Sequence, residues 1–464
     1  MRGELTRRTL LGGSAVAGTG LLLAACGAAT TAPAGDAPAA ADAPQEEKTT
    51  EAPAAAEQKT VNYLHYTTTQ AVWDESFGSL FDTFRAQNPD VDLKVDPVTG
   101  GFGVLIDKAV ASFAGGIVFD VYYGHFSYIS QFATAEMIQT LEPFLSADPE
   151  VSKDDYHVWA TERIQGQVYS IAWFTNGKEV WYNADLYAEA GLKTPKEHEA
   201  EGTWTWDTAL EGAKKLTKIE GNNVTQWGFF TPSYSFGWHW IHLMAWGATW
   251  WNDDFSAPAM LTQEFAEGTQ FAADLVTKHR VMRSRSAPSE DDVAPDFNTE
   301  LLAARTWGSY GTRTIQEQIM SQEEPFTVEM EMLPNGPAGR QVVQSINANW
   351  ISSSSAHPDS AWDFYKFWLS QEGQSFIVPL GGGRYVANKN FEGFTVYDYE
   401  DPAVYAHAAE ISVEQRQVVQ QSDVNSAWAE NWAALEQQTK TVQEVQEEMQ
   451  RVAENALREG GCLC

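Results

Sequence analysis

From residue 61 onward, apolar positions recur at the spacings of alternating strands and helices. The segment VNYLHY (61–66) alternates apolar and polar residues as a half-buried strand does, and phenylalanine and leucine follow at helical spacing over residues 77–84. Asn88-Pro89 predicts the end of this helix, because proline disfavours helical geometry at the residue before it. The pattern therefore opens the folded part of the chain with a strand and a helix.

The next segments repeat that order and define the fold class. Residues 91–98 predict a strand, residues 104–116 a helix and residues 118–124 a third strand. Strands that alternate with helices predict an α/β fold with a largely parallel sheet covered on both faces. Ligands of such sheets lie beyond the carboxyl ends of the strands, so Tyr66 and Gly124-His125 mark a candidate site.

Later segments also predict strands followed by a helix. Strands are predicted within residues 327–333 and 342–354, and a helix over residues 360–377. The tail from Val413 to Arg458 is polar and helical, with tryptophan and leucine spaced as an anchoring face. No internal repeat interrupts this organisation.

The segment WHWIHLMAWGATWW (238–251) holds five tryptophans. On a helix its apolar side chains form two faces, one with Trp238, His242 and Trp246, the other with Trp240, Met244, Gly247 and Trp251. Two apolar faces predict a buried helix, so Trp238 and Trp251 are assigned mainly to the core.

The first 59 residues predict an export signal followed by a tether. Thr6–Leu11, with its paired arginines, resembles a twin-arginine export signal, and Leu23–Cys26 resembles a bacterial lipobox. These motifs predict a lipoprotein signal peptide over residues 1–26, cleaved before Cys26, which would then be acylated at the cell membrane. Residues 27–59 contain no aromatic residue and are rich in Ala, Pro and Thr, so they predict a flexible tether.

Length, charge and cysteine content narrow the function classes. A chain of 464 residues exceeds one hydrophobic core, so two domains are expected. Acidic residues outnumber basic ones 63 to 30, a net charge of −33, which disfavours nucleic acid and anionic lipid as partners. No cysteine lies between Cys26 and Cys462-Leu463-Cys464, so the body has neither a disulfide framework nor a cysteine-bound metal.

No cofactor or metal is predicted. The glycine clusters GGFG (100–103) and GGGR (381–384) lack the residues that a phosphate-binding loop needs. His239 and His242 are spaced as metal ligands on a helix, but without a clear third ligand such a pair more often packs or hydrogen-bonds.

From Gln165 the chain reads QGQVYSIAWFTNGKEVWYNADLYAEAGLKTP, and later TWTWDTALEGAKKLTK. These segments closely resemble the family 1 extracellular solute-binding proteins of ABC importers, the group that includes maltose-binding protein. The resemblance covers roughly residues 60 to 440, with Phe119 where the family usually has proline. The residues that carry it are Phe119-Asp120-Val121, Gly166, Tyr169, Tyr182-Asn183, Leu186, Gly191, Trp206-Asp207, Ala213, Leu216-Thr217, Phe297, Ala303-Ala304, Gly308, residues 347–374 and Gly381–Arg384.

The resemblance implies two discontinuous α/β lobes, joined by a hinge, that close over a ligand. The expected N-terminal lobe comprises residues 60–171 and 312–368, and the C-terminal lobe residues 172–308 and 372–460. The implied function is capture of a sugar or an oligosaccharide and its delivery to an ABC permease with a separate cytoplasmic ATPase. The lipoprotein is expected to be a monomer, not an enzyme.

A sugar offers apolar faces ringed by hydroxyls, so its site needs flat aromatic rings and hydrogen-bonding partners. Trp173 follows the first expected crossover, Trp246 and Trp240 lie in the tryptophan-rich helix, and Trp350 lies at a strand end. The expected ligand-binding residues are Tyr66, His125, Trp173, Trp240, Trp246, Tyr310, Trp350 and Arg384.

Two other functions stay open at this point. The same fold could bind a polyamine, which would suit the acidic composition, or a glycerol-phosphate ester, which would need cationic groups such as Arg384 in the cleft. A secreted glycan hydrolase would also use tryptophan platforms, but it needs two carboxyl groups at a fixed separation.

Overall fold

The computed structural model describes residues 58–67, 71–252, 256–289, 291–380, 387–391, 397–413, 418 and 421–460. They all belong to one compact unit, residues 56–464. The expected signal peptide, residues 27–57 of the expected tether, Cys26, Arg384, Cys462 and Cys464 lie outside the described residues.

Thirteen strands occur in this described part of the chain. They are β1 (Lys59–Tyr66), β2 (Val91–Val98), β3 (Val121–His125), β4 (Thr161–Ile164), β5 (Gln167–Asn176), β6 (Glu179–Asn183), β7 (Lys218–Glu220), β8 (Asn223–Gln226), β9 (Ala304–Trp307), β10 (Val328–Glu331), β11 (Val342–Val343), β12 (Ser345–Ile351) and β13 (Ser412–Val413).

The largest sheet has six strands in the order β2-β1-β3-β12-β5-β4. Strand β1 runs parallel to β2 and β3, as the alternation of strands and helices predicts. The prediction of a largely parallel sheet is wrong for the other half, since β12 is antiparallel to β3 and β5, and β4 to β5. No helical crossover joins β4 to β5; the turn at Gln165 and Gly166, both with positive φ, makes them a tight hairpin.

A second, three-stranded antiparallel sheet has the order β10-β6-β9, with β6 between its neighbours. Strands β11 and β13 pair in parallel, and β7 and β8 form an antiparallel pair. Strand β5 of the large sheet therefore leads almost directly into the central strand of the second sheet.

Fifteen α-helices lie within the same described residues. They are α1 (Ala71–Gln87), α2 (Phe102–Ala114), α3 (Ile129–Thr134), α4 (Glu142–Ala147), α5 (Ala184–Glu189), α6 (Pro195–Ala200), α7 (Trp206–Leu216), α8 (Phe236–Ala245), α9 (Gln263–Thr277), α10 (Gly311–Gln318), α11 (Pro358–Leu369), α12 (Gln371–Ser375), α13 (Pro402–Glu410), α14 (Gln421–Glu436) and α15 (Val442–Gly460). None of these helices is both long and apolar enough to cross a membrane.

The buried apolar side chains form two separate cores. The first gathers the large sheet with α1, α2 and α11, and the second gathers the three-stranded sheet with α7, α8, α9, α14 and α15. Side chains from Ile315 to Val343 pack in the second core, whereas the expected lobe boundaries would put them with the first. Those boundaries stay a prediction.

The tryptophan-rich segment forms a shorter helix than its pattern predicts. Helix α8 begins at Phe236 and ends at Ala245, because Gly247 adopts a positive φ of 83° that stops the helix just after Trp246. Its side chains from His239 to Ala245 are buried in the second core, as two apolar faces predict.

His242 is buried in this helix, and its burial makes the stability of the second core depend on pH. Its ring lies 4.6 Å from that of Trp206, and neither ring nitrogen has a hydrogen-bond partner among the described residues. Burial lowers its pKa from 6.5 to about 3, because a charged imidazolium would be desolvated there.

We expect His242→Phe to make the protein less sensitive to acid. Between about pH 6.5 and pH 3 the unfolded chain binds a proton that the folded chain refuses, so the contribution of His242 is complete above pH 6.5 and is lost as the pH falls, by at most about 1.4 kcal/mol per pH unit. Urea unfolding at pH 7, 6 and 5 measures the slope of stability against pH. The control is His407→Asn at a half-exposed position. An unchanged slope in His242→Phe would contradict the assignment.

Candidate functional site

A cavity of about 410 Å³ opens where the two cores meet. It is lined by residues 125–127 at the carboxyl end of β3, Lys178, residues 234–238 at the start of α8, Ser345 at the start of β12, and Asn425 and Ala429 on α14. Its walls therefore combine the carboxyl edge of the large sheet, the links between the two sheets, and two helices of the second core.

The first wall is held by His125, the last residue of β3. Its ring lies 4.4 Å from the rings of both Phe102 and Phe126, and these neighbours shield it from water. The backbone N–H of Ser127 donates to Nδ1 at 3.3 Å, which leaves Nε2 as the protonated nitrogen of the neutral ring. Burial lowers the pKa of His125, so the ring is a neutral hydrogen-bond donor at pH 7.

The second wall is the link between β5 and β6, where Lys178 is 3% exposed. Its Nζ donates to the carbonyl oxygen of Val343 at 2.9 Å and lies 5.3 Å from the ring centre of Trp238. Burial lowers the pKa of Lys178 to about 8, although the neighbouring Glu179 acts to raise it. A cation therefore lies at the cavity wall where the chain passes from one sheet to the other.

The third wall is the first turn of α8. Trp238 is partly exposed, and its ring faces the Lys178 ammonium in a cation–π contact. Phe236 is buried and stacks on Trp250 with ring centres 4.1 Å apart, which anchors the turn in the second core. Tyr234 lies under the Arg285 guanidinium at 3.9 Å. This turn and the residues just before it thus contribute two aromatic residues, Trp238 and Tyr234, to the cavity lining.

Helix α14 contributes Asn425 and Ala429. Its Trp428 is fully buried, and the indole N–H donates to the carbonyl oxygen of Ser233 at 3.0 Å, which ties α14 to the segment just before α8. The Asn425 amide oxygen accepts from Gln421 Nε2 at 2.9 Å, so its amide N–H groups remain available for other acceptors.

Of the expected site residues that the structure describes, only His125 lines the cavity. Tyr66 is the last residue of β1, and its ring stacks on that of Phe102 with centres 4.3 Å apart. The Phe102 ring therefore lies between Tyr66 and His125. Tyr310 is 42% exposed beside the start of α10, and its backbone N–H donates to Asn176 Oδ1 at 3.3 Å. Tyr66 and Tyr310 thus lie near the walls without forming them.

Three of the expected tryptophans lie inside the cores, away from the cavity lining. Trp173 lies 4.5 Å from Trp368 in the first core, and Trp240 is buried in the second. The Trp350 ring fills the space over Gly124, where an added Cβ would lie 2.3 Å from a ring carbon. An apolar strand pattern does not tell a ring at the strand end from one packed between strands, and ligand binding by these three residues stays a prediction.

Trp246 and Arg384 complete the expected set. Trp246 follows the last residue of α8, and its ring centre lies 4.7 Å from that of Phe271 in a tilted contact. The cavity lies at the opposite end of this ten-residue helix, roughly 15 Å away. Arg384 lies outside the described residues.

Sequence reasoning missed Lys178, Tyr234 and Asn425, and it assigned Trp238 to the core. One signal was available for Lys178, since it and Glu179 are the only charged residues in a long apolar run from Val168 to Asn183.

A family model of bacterial extracellular solute-binding proteins matches residues 66–375, about two thirds of the chain. A search of curated protein sequences finds no match.

Solved structures share the fold at low sequence identity. They include an ABC substrate-binding protein of Listeria monocytogenes in complex with cycloalternan (17% identity, TM-score 0.70, covering 87% of this chain and 100% of that one). The GacH receptor of Streptomyces glaucescens, solved with acarbose, has 16% identity and a TM-score of 0.68, and the match covers 87% of this chain and 99% of that one. The cyclic alpha-maltosyl-1,6-maltose binding protein of Arthrobacter globiformis has 17% identity and a TM-score of 0.68, and the match covers 86% of this chain and 99% of that one. The described fold is thus the mixed α/β, two-lobed fold of substrate-binding proteins.

Two tryptophan substitutions should separate the core from the site. We expect Trp350→Ala to lower the free energy of unfolding by about 3–5 kcal/mol, because it empties a fully buried position. Trp238→Ala should cost much less, since its ring is partly exposed at the cavity. Urea unfolding of both variants measures the difference. Equal losses would mean that Trp238 is a core residue.

Proposed function

We propose that this chain, which belongs to the family of bacterial extracellular solute-binding proteins, captures a sugar or an oligosaccharide outside the cytoplasm. The fold that it shares with the solved sugar-binding proteins supports this proposal, although identities of 16–17% support the fold rather than any particular ligand. Capture needs no chemical step, and we propose no catalytic role.

The cavity between the two cores is the observation that carries the proposal. Trp238 and Tyr234 offer flat rings for the apolar face of a sugar, while Asn425, Ser345 and His125 offer hydrogen-bonding groups for its hydroxyls. Aromatic rings with a few polar groups around them are the composition that a carbohydrate site needs. We place the ligand here rather than at the buried Trp173, Trp240 or Trp350.

Closure of the two lobes over the ligand is part of the proposal. The links between the cores at Lys178 and Ser345 border the cavity, so a change in lobe angle would change its width. Ligand contacts made only in the closed form would shift the population toward it. We propose the hinge at these links and retain the lobe boundaries expected from the sequence as a working division.

Delivery to an ABC permease with a separate ATPase follows the role of the family and is likewise a proposal. We infer that the chain is exported by a twin-arginine signal, cleaved and acylated at Cys26, and held at the membrane by residues 27–59. A lipid anchor with a tether of about thirty residues would leave a monomeric binding protein free to meet the permease.

The residues that line the cavity disfavour two of the three alternative functions and fit the third. A polyamine would need carboxylates, yet none of the cavity-lining residues in the described part of the chain is Asp or Glu. A glycan hydrolase would need two carboxyl groups facing each other, and the same lining offers no such pair. A glycerol-phosphate ester has one observation in its favour, the buried Lys178.

We expect the midpoint temperature of thermal unfolding of the purified full chain to rise by several degrees when one class of saccharide is added. A ligand at 100 times its Kd adds about 2.7 kcal/mol to the stability of the folded state. The panel comprises mono- and oligosaccharides, spermidine and glycerol 3-phosphate. Trp238→Ala should reduce the shift at equal ligand concentration, and Trp362→Phe, at a residue of the first core, should keep it. A shift with spermidine or glycerol 3-phosphate but with no saccharide would refute sugar capture.

A further inference from the structure

The cavity carries a charge opposite to that of the chain as a whole. The sequence has 63 acidic and 30 basic residues, so about one residue in seven is acidic. The lining residues in the described part of the chain nevertheless include Lys178 and no carboxylate. A cavity of positive character in a strongly acidic protein favours an anion, because the field inside a cleft is set by the groups that line it.

Lys178 is a buried cation whose pairing is incomplete. Of its three N–H donors, one binds the carbonyl oxygen of Val343, and the Trp238 ring covers another direction. No described carboxylate forms an ion pair with it. Taking an ammonium out of water is costly unless a negative group compensates for it, so the arrangement is stabilised when an anion enters the cavity.

The adjacent Glu179 does not meet this need. Glu179, the first residue of β6, is fully buried and absent from the cavity lining. Burial raises its pKa well above the usual value, so its carboxyl group is a weak counter-ion for Lys178.

The first turn of α8 adds donors next to the lysine. The backbone N–H groups of Trp238 and His239 donate to the carbonyl oxygen of Ser235. Those of Phe236 and Gly237 have no acceptor within the helix, and the Ser235 side chain does not cap them. No acidic residue lies in this turn, and its residues 235–238 line the same cavity as Lys178. The positive end of the helix dipole and the ammonium group therefore act on one space.

We propose that this cavity recognises a saccharide that carries an anionic group, bound between Lys178 and the first turn of α8 with a sugar face on Trp238. The inference rests on the proposed function, since it names the class of sugar that is captured. A carboxylate of a uronic acid and a phosphate ester of a sugar share the required charge and acceptor oxygens.

Calorimetric titration of the full chain tests the proposal with pairs of ligands of which only one carries an anionic group. Oligosaccharides of uronic acids of several linkages are compared with their methyl esters, and sugar monophosphates with the parent sugars. We expect one acidic form to bind roughly 10- to 100-fold more tightly than its neutral counterpart, the range of a hydrogen bond to a charged group. Binding confined to the uronates or to the phosphates identifies the source of the anion.

Lys178→Gln should lower the affinity for the acidic form at least tenfold more than the affinity for the neutral form, whereas Lys178→Arg should retain most of the preference. The control is Lys153→Gln, at a half-exposed lysine paired with Glu142 outside the cavity lining. Thermal unfolding checks that each variant is folded, and Lys178→Arg keeps the test decisive if Lys178→Gln fails to fold.

Two results would overturn the inference and leave sugar capture standing. The first is a neutral saccharide that binds as tightly as its acidic form. The second is an equal loss of both affinities in Lys178→Gln, which would give Lys178 a role only in the link between the cores. A chain that binds no saccharide, charged or neutral, would refute the proposed function itself.

Discussion

The passage of the chain between its two cores depends on two polar side chains, the partly buried Asn176 and the buried Lys178. Asn176 Oδ1 accepts a hydrogen bond from Ser309 Oγ at 3.0 Å, and Lys178 donates to the carbonyl oxygen of Val343, just before β12 returns to the large sheet. Asn176 also pairs in register with Ser345 at the start of that strand. Backbone that leaves a core without such partners would carry unsatisfied polar groups. The cavity exists because these links hold the two cores side by side rather than merging them.

The aromatic content of the protein serves these cores before it serves any ligand. Several buried indole N–H groups donate to backbone carbonyl oxygens, as those of Trp159, Trp204, Trp227 and Trp428 do. Each such bond fixes the position of a large ring and ties two distant segments together. Trp428 is the case that bears on the site, because its bond to Ser233 sets α14 against the segment that leads into α8.

Charge is distributed with the same division of roles. Most ion pairs join side chains at the surface, where water and salt weaken them, and they contribute little to stability. Lys178 differs because it is buried at the cavity with no carboxylate partner in the described part of the chain. The net acidity of the sequence therefore describes the outer surface and says little about the ligand.

The local pattern of apolar and polar residues was sufficient to predict the first strands and helices of the folded part of the chain. The alternation of strands and helices over residues 61–124 predicted three strands that pair in parallel, and the two apolar faces of residues 238–251 predicted burial of α8. The ordered matches from Gln165 onward predicted the solute-binding fold. These inferences succeeded because period, turn residues and motif spacing are local properties of a sequence.

Tertiary structure decided the rest, including most of the site. Whether a tryptophan stacks on a ligand or fills a core depends on what packs against it, and only the fold brings Gly124 under Trp350 and leaves Trp238 open to the cavity. His125 could be predicted because the carboxyl end of a parallel strand is a local feature. For Lys178 the sequence shows a charge within an apolar run but not its burial, because that burial results from segments more than 150 residues apart that meet at the links between the cores.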